Sequence, residues 1–406
     1  MNIRAVTGFF DPGCPVKPDS VAHMAACMKA AREALQAVGY EVQSLRLATP
    51  PPSEMESRVP PSDLAEFARR LEAEGFVQGV DYVALGPALP GDLEGYAAIP
   101  DVLGATGNVF ASGLFADMDG GLSLPAARAC AKVIHGAAVL GPDGFANLRF
   151  AALANVSPGS PFFPAAYHSG EGPALALATE GAGLAVEAMQ GATSLSAARR
   201  KLVSRIEAHG ATLTRVVQPI AAEHEVRYLG IDFSLAPFPE EQRSLGTALE
   251  AFGVPAFGLA GTAAAAAVLA ECLDQAQFQR TGFCGLFFPV FEDVVLAARA
   301  AEGTLTVNDL LLYASVCGAG LDTVPIPGDV GVEEIMALLL DLGALALRQD
   351  KPLTARLMPI PGKVAGDEVH FDFPYFADTR VMAVKAQPLN GLLAGSNVLQ
   401  IGPHRG

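Results

Sequence analysis

IRAVTGFF at 3–10, YEVQSLRL at 40–47 and VDYVAL at 80–85 are three short runs of mainly apolar residues, and what separates them decides the fold. Between the first two, Asp19 or Ser20 caps a helical run that closes at Gly39. Between the second and third, Pro50, Pro51 and Pro52 interrupt the chain ahead of a helix near Leu64 to Glu74. A helix returning the chain between successive strands lets those strands lie parallel, so the pattern predicts an α/β fold. The alternation continues. Strands are expected at Leu148 to Val156, Ala174 to Ala178, Arg227 to Phe233, Gly285 to Val290, Asp322 to Ile326 and Thr354 to Ile360. Helices are expected near Leu122 to Ile134, Ser194 to His209, Gln242 to Phe252, Thr262 to Leu273, Val307 to Val316 and Val332 to Leu347. With no long break and no internal repeat, one wound or closed sheet in a single domain over 1–406 is expected, rather than separate α and β domains.

Hydrophobic residues make up 51% of the chain and charged residues 17%, enough to fill a large core and too apolar for disorder. The formal net charge of −16 disfavours nucleic acid and anionic membranes as partners, because both require a basic face. The opening MNIRAVTGFF lacks the basic, apolar and small-residue regions of a secretion signal. The longest apolar stretches, Ala263 to Ala270 and Ile335 to Leu347, are short of the ~20 residues that span a bilayer. A cytoplasmic, homo-oligomeric protein acting on a small-molecule metabolite is expected. Six cysteines without a C-x-x-C pair read as reduced thiols, most of them buried.

The 42 glycines and 30 prolines cluster between the expected elements, and the loops near 156–172, 230–262, 285–293 and 317–329 stand out. In α/β folds, loops leaving the carboxyl ends of strands build the site.

Several words in these loops carry a resemblance: GIDFSLAPFPEE from Gly230, GLAGT at 258–262, GLFFPVFED at 285–293, CGAGLDTVPIPGD at 317–329, KPLTARLMPIPGK at 351–363 and AGD at 365–367. Together with RAVTGFFDPGCP from Arg4 and SPFFPAAYH ending at His168, they make the chain resemble the domain-of-unknown-function-711 family across nearly its whole length. The resemblance implies a pyruvate formate-lyase-like α/β barrel of about ten strands with surrounding helices, its site at the barrel centre. It does not imply radical chemistry, since the tail NGLLAGSNVLQIGPHRG lacks the glycyl-radical motif. Cys317 lies on a helix-to-strand connection where the thiyl loop of such enzymes would fall, a parallel of fold and not of function.

Asp232 follows one expected strand, and Glu292 with Asp293 follows another; Asp322 sits in the CGAGLD loop. Crowded carboxylates at strand ends shift their pKa values and act as acid and base, or bind a hard cation. His168, closing the aromatic loop PFFPAAYH, supplies an imidazole that shuttles a proton or ligates a metal. Asp232, Glu292, Asp322, His168 and Cys317 are thus the expected catalytic residues, Cys317 acting as a nucleophile if Arg356 or Lys363 lowers its pKa. His168, Asp232, Glu292 and Asp293 form the expected site for a divalent metal, Mg, Ca, Mn or Zn. Arg356, Lys363, Ser234 and Thr262 are the expected contacts to an anionic substrate. The function expected is acid–base or metal-assisted hydrolytic or lyase chemistry on a small polar or anionic metabolite. The alternative is a non-catalytic metabolite-binding or regulatory protein using the same loops.

Overall fold

The computed structural model of the protein describes residues 1–404. Its strands are β1 (Asn2–Phe9), β2 (Leu45–Ala48), β3 (Tyr82–Ala84), β4 (Val109–Asp117), β5 (Gly121–Ser123), β6 (Phe150–Ala154), β7 (Ala174–Glu180), β8 (Arg227–Asp232), β9 (Gly320–Pro327) and β10 (Leu353–Ile360). Short pairs follow as β11 (Glu368–Val369), β12 (Thr379–Arg380) and β13 (Val398–Leu399). The helices are α1 (Pro18–Ala37), α2 (Leu64–Val77), α3 (Leu93–Ala105), α4 (Leu124–Ala138), α5 (Ala182–Met189), α6 (Leu195–Glu223), α7 (Leu245–Phe252), α8 (Thr262–Gln275), α9 (Val294–Glu302), α10 (Val307–Tyr313) and α11 (Val332–Gln349). None of the described helices is long and apolar enough to cross a membrane.

One large sheet runs in the order β8-β7-β1-β2-β3-β4-β6-β10-β9, with β5 and β13 appended beside β4. The five central strands β1, β2, β3, β4 and β6 are parallel. Antiparallel pairing of β7 with β1 and of β10 with β6 turns both flanks around, so β8, β7, β10 and β9 run the opposite way. The βαβ reading of the first ninety residues is therefore realised, with mixed α/β architecture and a mostly parallel sheet.

Alternation along the strands separates two faces. In β7, Leu175 and Leu177 join the main core under the helices, whereas Ala174, Ala176 and Ala178 point to the other side. Ala5, Ala48, Ala84 and Ala151 are likewise small residues on that second face. The space they leave is filled by the 155–173 connection between β6 and β7. Phe162 packs with Ala5, Ala178, Ala236, Phe287 and Ala319, and Phe163 with Phe9, Ala48, Ala84, Ala174 and Ala176. Ala165 and Tyr167 meet Leu114, Ala151 and Leu153. Small side chains on the strands thus match large ones on the loop, which is how a connection comes to be buried against strands of both directions.

Two sequence expectations are corrected. Val109–Asp117 is a nine-residue strand that the sequence reading passed over, because VFASGLFAD carries small residues where a β signal would be strong. Its Gly113 is needed, since a Cβ there would strike Tyr96 and Cys130. Conversely, Gly285 to Val290 is not a regular strand. Cys284 at φ +44° and the prolyl nitrogen of Pro289 interrupt any ladder. The run and the residues before it instead make isolated parallel bridges, Arg280 with Ile231, Leu286 with Leu235 and Pro289 with Asp322, and so bond to both edge strands or their extensions. The Leu235 amide donates to the Gly285 carbonyl at 2.9 Å and the Gly318 amide to the Leu286 carbonyl at 2.9 Å.

At this crossing Gly285 and Gly318 lie backbone against backbone, and a Cβ on either would overlap the other. Gly285→Ala is accordingly expected to lose about 1–3 kcal/mol by forced overpacking, read as a lower denaturation midpoint in urea. An unchanged midpoint would mean that the two loops separate freely.

Candidate functional site

A cavity of about 750 Å³ opens at the amino ends of the parallel strands, lined there by Arg4 of β1, Ser44 and Arg46 at β2, Tyr82 of β3, Phe110 of β4 and Ala151 of β6. The oppositely running strands contribute Asp322 from β9 and Thr354 and Arg356 from β10. Phe162, Phe163 and Pro164, the tip of the buried connection, line it too, as do Phe373 and Tyr375 from the segment after β10.

A chain of ion pairs runs along one wall. Arg356 Nε donates to Asp322 Oδ1 at 2.6 Å and its Nη2 to Glu292 Oε1 at 2.7 Å. Arg4 holds the other Glu292 oxygen through Nη2 and reaches Glu180 at 3.5 Å through Nη1. Arg243 closes the chain on Glu180, which also accepts from Gln43 Nε2 at 2.5 Å.

Asp322 owes its aim to a β-bulge. Ala355 pairs with Leu321 and Leu357 with Val324, so Asp322 and Thr323 together face Arg356 alone. Thr323 adopts φ +42°, a strained region for a β-branched side chain, and its buried hydroxyl finds no protein partner among the described residues. Strain of this kind is retained where surrounding structure imposes it, here beside the carboxylate it orients.

The two carboxylates on Arg356 are pushed in opposite directions. Burial raises Glu292, but Arg356 and Arg4 outweigh it and hold the group below the usual carboxylate range. Burial raises Asp322 as well, and there the pull of Arg356 falls short, with the Glu292 charge adding to the rise. The surroundings thus favour the anionic form of Glu292 and the protonated form of Asp322, relative to an ordinary carboxylate.

Arg46 differs from the other cavity arginines. Its Nε donates to Ser44 Oγ at 2.9 Å, and its guanidinium lies over the rings of Tyr82 and Phe163, 5.7 and 5.1 Å from their centroids. Among the described residues no carboxylate pairs with it. Burial, then repulsion from Arg4 and Arg356, brings its pKa down to about 10, still charged at neutral pH. Arg149, by contrast, is spent on backbone oxygens of Leu103, Thr106 and Val109.

The structure brings together Glu292, Asp322 and Arg356 of the residues singled out in the sequence, and places the others elsewhere. The Asp232 carboxylate is buried in a knot of its own, accepting from the amides of Phe283 at 2.7 Å and Cys284 at 2.8 Å and from Ser234 Oγ at 2.6 Å. Burial raises it to about 6, against these hydrogen bonds. Ser234 Oγ in turn accepts from the Gly285 amide, so both residues fasten the 280–290 run and neither lines the cavity. Asp293 caps helices. Thr262 donates to the Leu259 carbonyl and accepts from the Gly258 amide, closing the turn before α8. Lys363 donates to the Glu368 carbonyl, outside the cavity lining.

His168 is buried at the far end of the buried connection, its amide donating to the Thr49 carbonyl just past the carboxyl end of β2. Desolvation lowers its pKa and favours the neutral ring. Cys317 belongs to the main hydrophobic core beyond α10, and burial raises its thiol despite Lys351 nearby. His168, Asp232, Glu292 and Asp293 therefore occupy separate surroundings, and among the described residues no three His, Cys, Asp or Glu side chains converge on one ion position. The Glu292 oxygens are engaged by arginines and those of Asp232 and Asp293 by amides and hydroxyls, and His168 stands apart from all three, so as placed these four do not make one divalent-metal site.

Comparison with known sequences bears on the same stretches. The profile of the family described as Uncharacterised ACR (DUF711) matches residues 1–377. The chain belongs to this family. A UPF0210 protein of Pyrobaculum islandicum is 32% identical over 395 residues, covering 90% of this chain and 87% of the relative. One from Pyrobaculum arsenaticum is 33% identical over 396 residues, with the same coverages of 90% and 87%. A third, from Syntrophobacter fumaroxidans, is 29% identical over 353 residues, 82% of this chain and 77% of the relative. In this DUF711 member the words that carried the resemblance have distinct work: GIDFS holds the Asp232 knot, FED both Glu292 and the cap Asp293, CGAGLDT the glycine crossing and the bulge, and TAR the shared guanidinium.

Arg4, Arg46 and Glu180 were not found from the sequence. The available signal was parity: in SLRLA, Leu45 and Leu47 face the helices, so Arg46 must face the enclosed side.

Proposed function

We propose that this protein is an enzyme that moves a proton on a small anionic metabolite held in the cavity, with Asp322 as the acid–base group and Arg46 as the anion contact. The observation that carries this reading is the bulge at Asp322 and Thr323, which uses backbone strain to bring a carboxyl with a raised pKa into the cavity beside Arg356. Arg356 positions Asp322, while burial and the Glu292 charge favour its protonated form against the pull of Arg356. In the reaction, Asp322 would deliver its proton to a carbonyl oxygen or carbon of the ligand and recover one from the same molecule or from water, so charge and atoms return to their starting state. We read the enclosing sheet as a barrel of the pyruvate formate-lyase type, with five parallel strands in one half and β8, β7, β10, β9 and the 279–290 run in the other. The bridges from that run to both edges support this closure.

The alternative of a binding protein without turnover is favoured by one feature: Arg46 alone suffices to hold an anion, with no reaction required. Deuterium exchange separates the two. Wild-type protein incubated in D₂O with mixed 2-oxo and 3-oxo carboxylates should remove carbon-bound proton signals next to the carbonyl in NMR spectra, and Asp322→Asn should not. Exchange that survives Asp322→Asn would overturn the assignment, and binding without exchange would favour the second reading.

A further inference from the structure

We propose that the cavity selects an aryl or arylalkyl monocarboxylate, its carboxylate on Arg46 and its ring against Tyr82, Phe110 and Phe163. The proposal deepens the reading of this cavity as the substrate site and rests on it for location only.

Charge sets the first limit. Arg4, Arg46 and Arg356 face Glu292 and Asp322 in the cavity, while Glu180 is held by Arg243 as well as Arg4. Asp81 and Asp143 also line the cavity, accepting from the amides of Leu45 and Phe145, so among the described residues Arg46 is the cavity guanidinium left with neither a carboxylate nor a backbone partner. One anionic group balances it. Among the described residues no lysine lines the cavity, and Arg149, the remaining guanidinium in that lining, already donates to backbone oxygens.

Geometry sets the second. Arg46 is held flat by the rings of Tyr82 and Phe163, with Nε on Ser44, so its two terminal nitrogens remain for a planar carboxylate. Phe110 stands edge-on to both of those rings, with centroids 5.6 Å from Tyr82 and 5.3 Å from Phe163. A ligand ring extending from a carboxylate on Arg46 meets this wall in the edge or offset arrangements that aromatic pairs prefer. A volume of about 750 Å³ accommodates such a molecule with room for a side chain between ring and carboxylate.

Titration calorimetry on the full chain tests this with phenylacetate, acetate, benzyl alcohol and inorganic phosphate as probes. Phenylacetate should bind at least tenfold more tightly than each of the others, since acetate lacks the ring, benzyl alcohol the charge, and phosphate both the ring and the flat shape. Arg46→Met should weaken phenylacetate at least tenfold, and Phe110→Ala should weaken phenylacetate while leaving acetate unchanged. Acetate or phosphate binding as tightly as phenylacetate to the wild type would overturn the proposal, and that comparison needs no variant to fold. So would Arg46→Met binding phenylacetate as the wild type does. Tight phenylacetate binding with no proton exchange on any carboxylate would instead defeat the acid–base reading alone, and exchange confined to non-aromatic anions would defeat only the aryl selectivity.

Discussion

Asp293→Ala is expected to destabilise the protein by about 3–5 kcal/mol, among the largest losses a single substitution gives. The carboxylate is fully buried and accepts five hydrogen bonds: from Ser244 Oγ at 2.6 Å, from the amides of Leu245 and Gly246 at 2.7 and 3.2 Å, and from those of Val295 and Leu296 at 3.0 and 3.3 Å. Those amides begin α7 and α9, so one side chain caps two helices and joins them. Burial raises its pKa against these bonds, the mark of an anion kept in an enclosed place by donors instead of by a counter-charge. Alanine would strand the hydroxyl and four amides in the interior. Asp293→Asn retains one acceptor oxygen and should lose less. Guanidinium denaturation checks both; a loss under about 1 kcal/mol for Ala would show that water or backbone shifts replace the cap.

Asp322→Asn should act on turnover instead of on the fold. Asparagine keeps an oxygen for Arg356 Nε and Arg356 keeps Glu292, so the ionic chain remains in place while the proton carrier is gone. Proton exchange should fall by about 10²–10⁴-fold, the range removed with a positioned acid–base group. The pH dependence has a definite sign. Because Asp322 is raised above the ordinary carboxylate range, its acid form persists to higher pH, and a step needing that proton slows as pH rises through its pKa. Anion binding follows the same direction: protonation removes a negative charge near Arg46, so affinity should increase as pH falls through that value. Both limbs should vanish in Asp322→Asn. A variant that retains the wild-type rate and pH profile would place the chemistry on another group.

The alternation of strand and helix was legible because it depends on apolar period and on glycine and proline breaks, which are local. The 285–290 run was misread: its apolar residues satisfy a β pattern, but Pro289, a local signal against a central strand, and the left-handed turn at Cys284 leave it only single bridges to its neighbours. Strand ends pointed to Glu292, the CGAGLD loop to Asp322 and the need for an anion contact to Arg356, and the strand-end logic pointed equally to Asp232 and Asp293. What divides these acids is which donors fold back onto them, guanidinium groups in the cavity for the first pair and loop or helix amides for the second. That depends on tertiary packing, as does the burial of the 155–173 connection against alanines drawn from several distant strands. Arg46 was legible in principle from strand parity, yet its lack of a carboxylate becomes visible only once every neighbour is placed.

The most direct test of the account is the titration of Asp322 itself, followed by carbon-13 NMR of protein labelled at the aspartate carboxyls, with Asp322→Asn used to assign the signal. The account predicts a carboxyl that titrates above the ordinary aspartate range and moves down when Glu292→Gln removes the neighbouring negative charge. An Asp322 signal that titrates at or below the ordinary range, indifferent to Glu292→Gln, would contradict it.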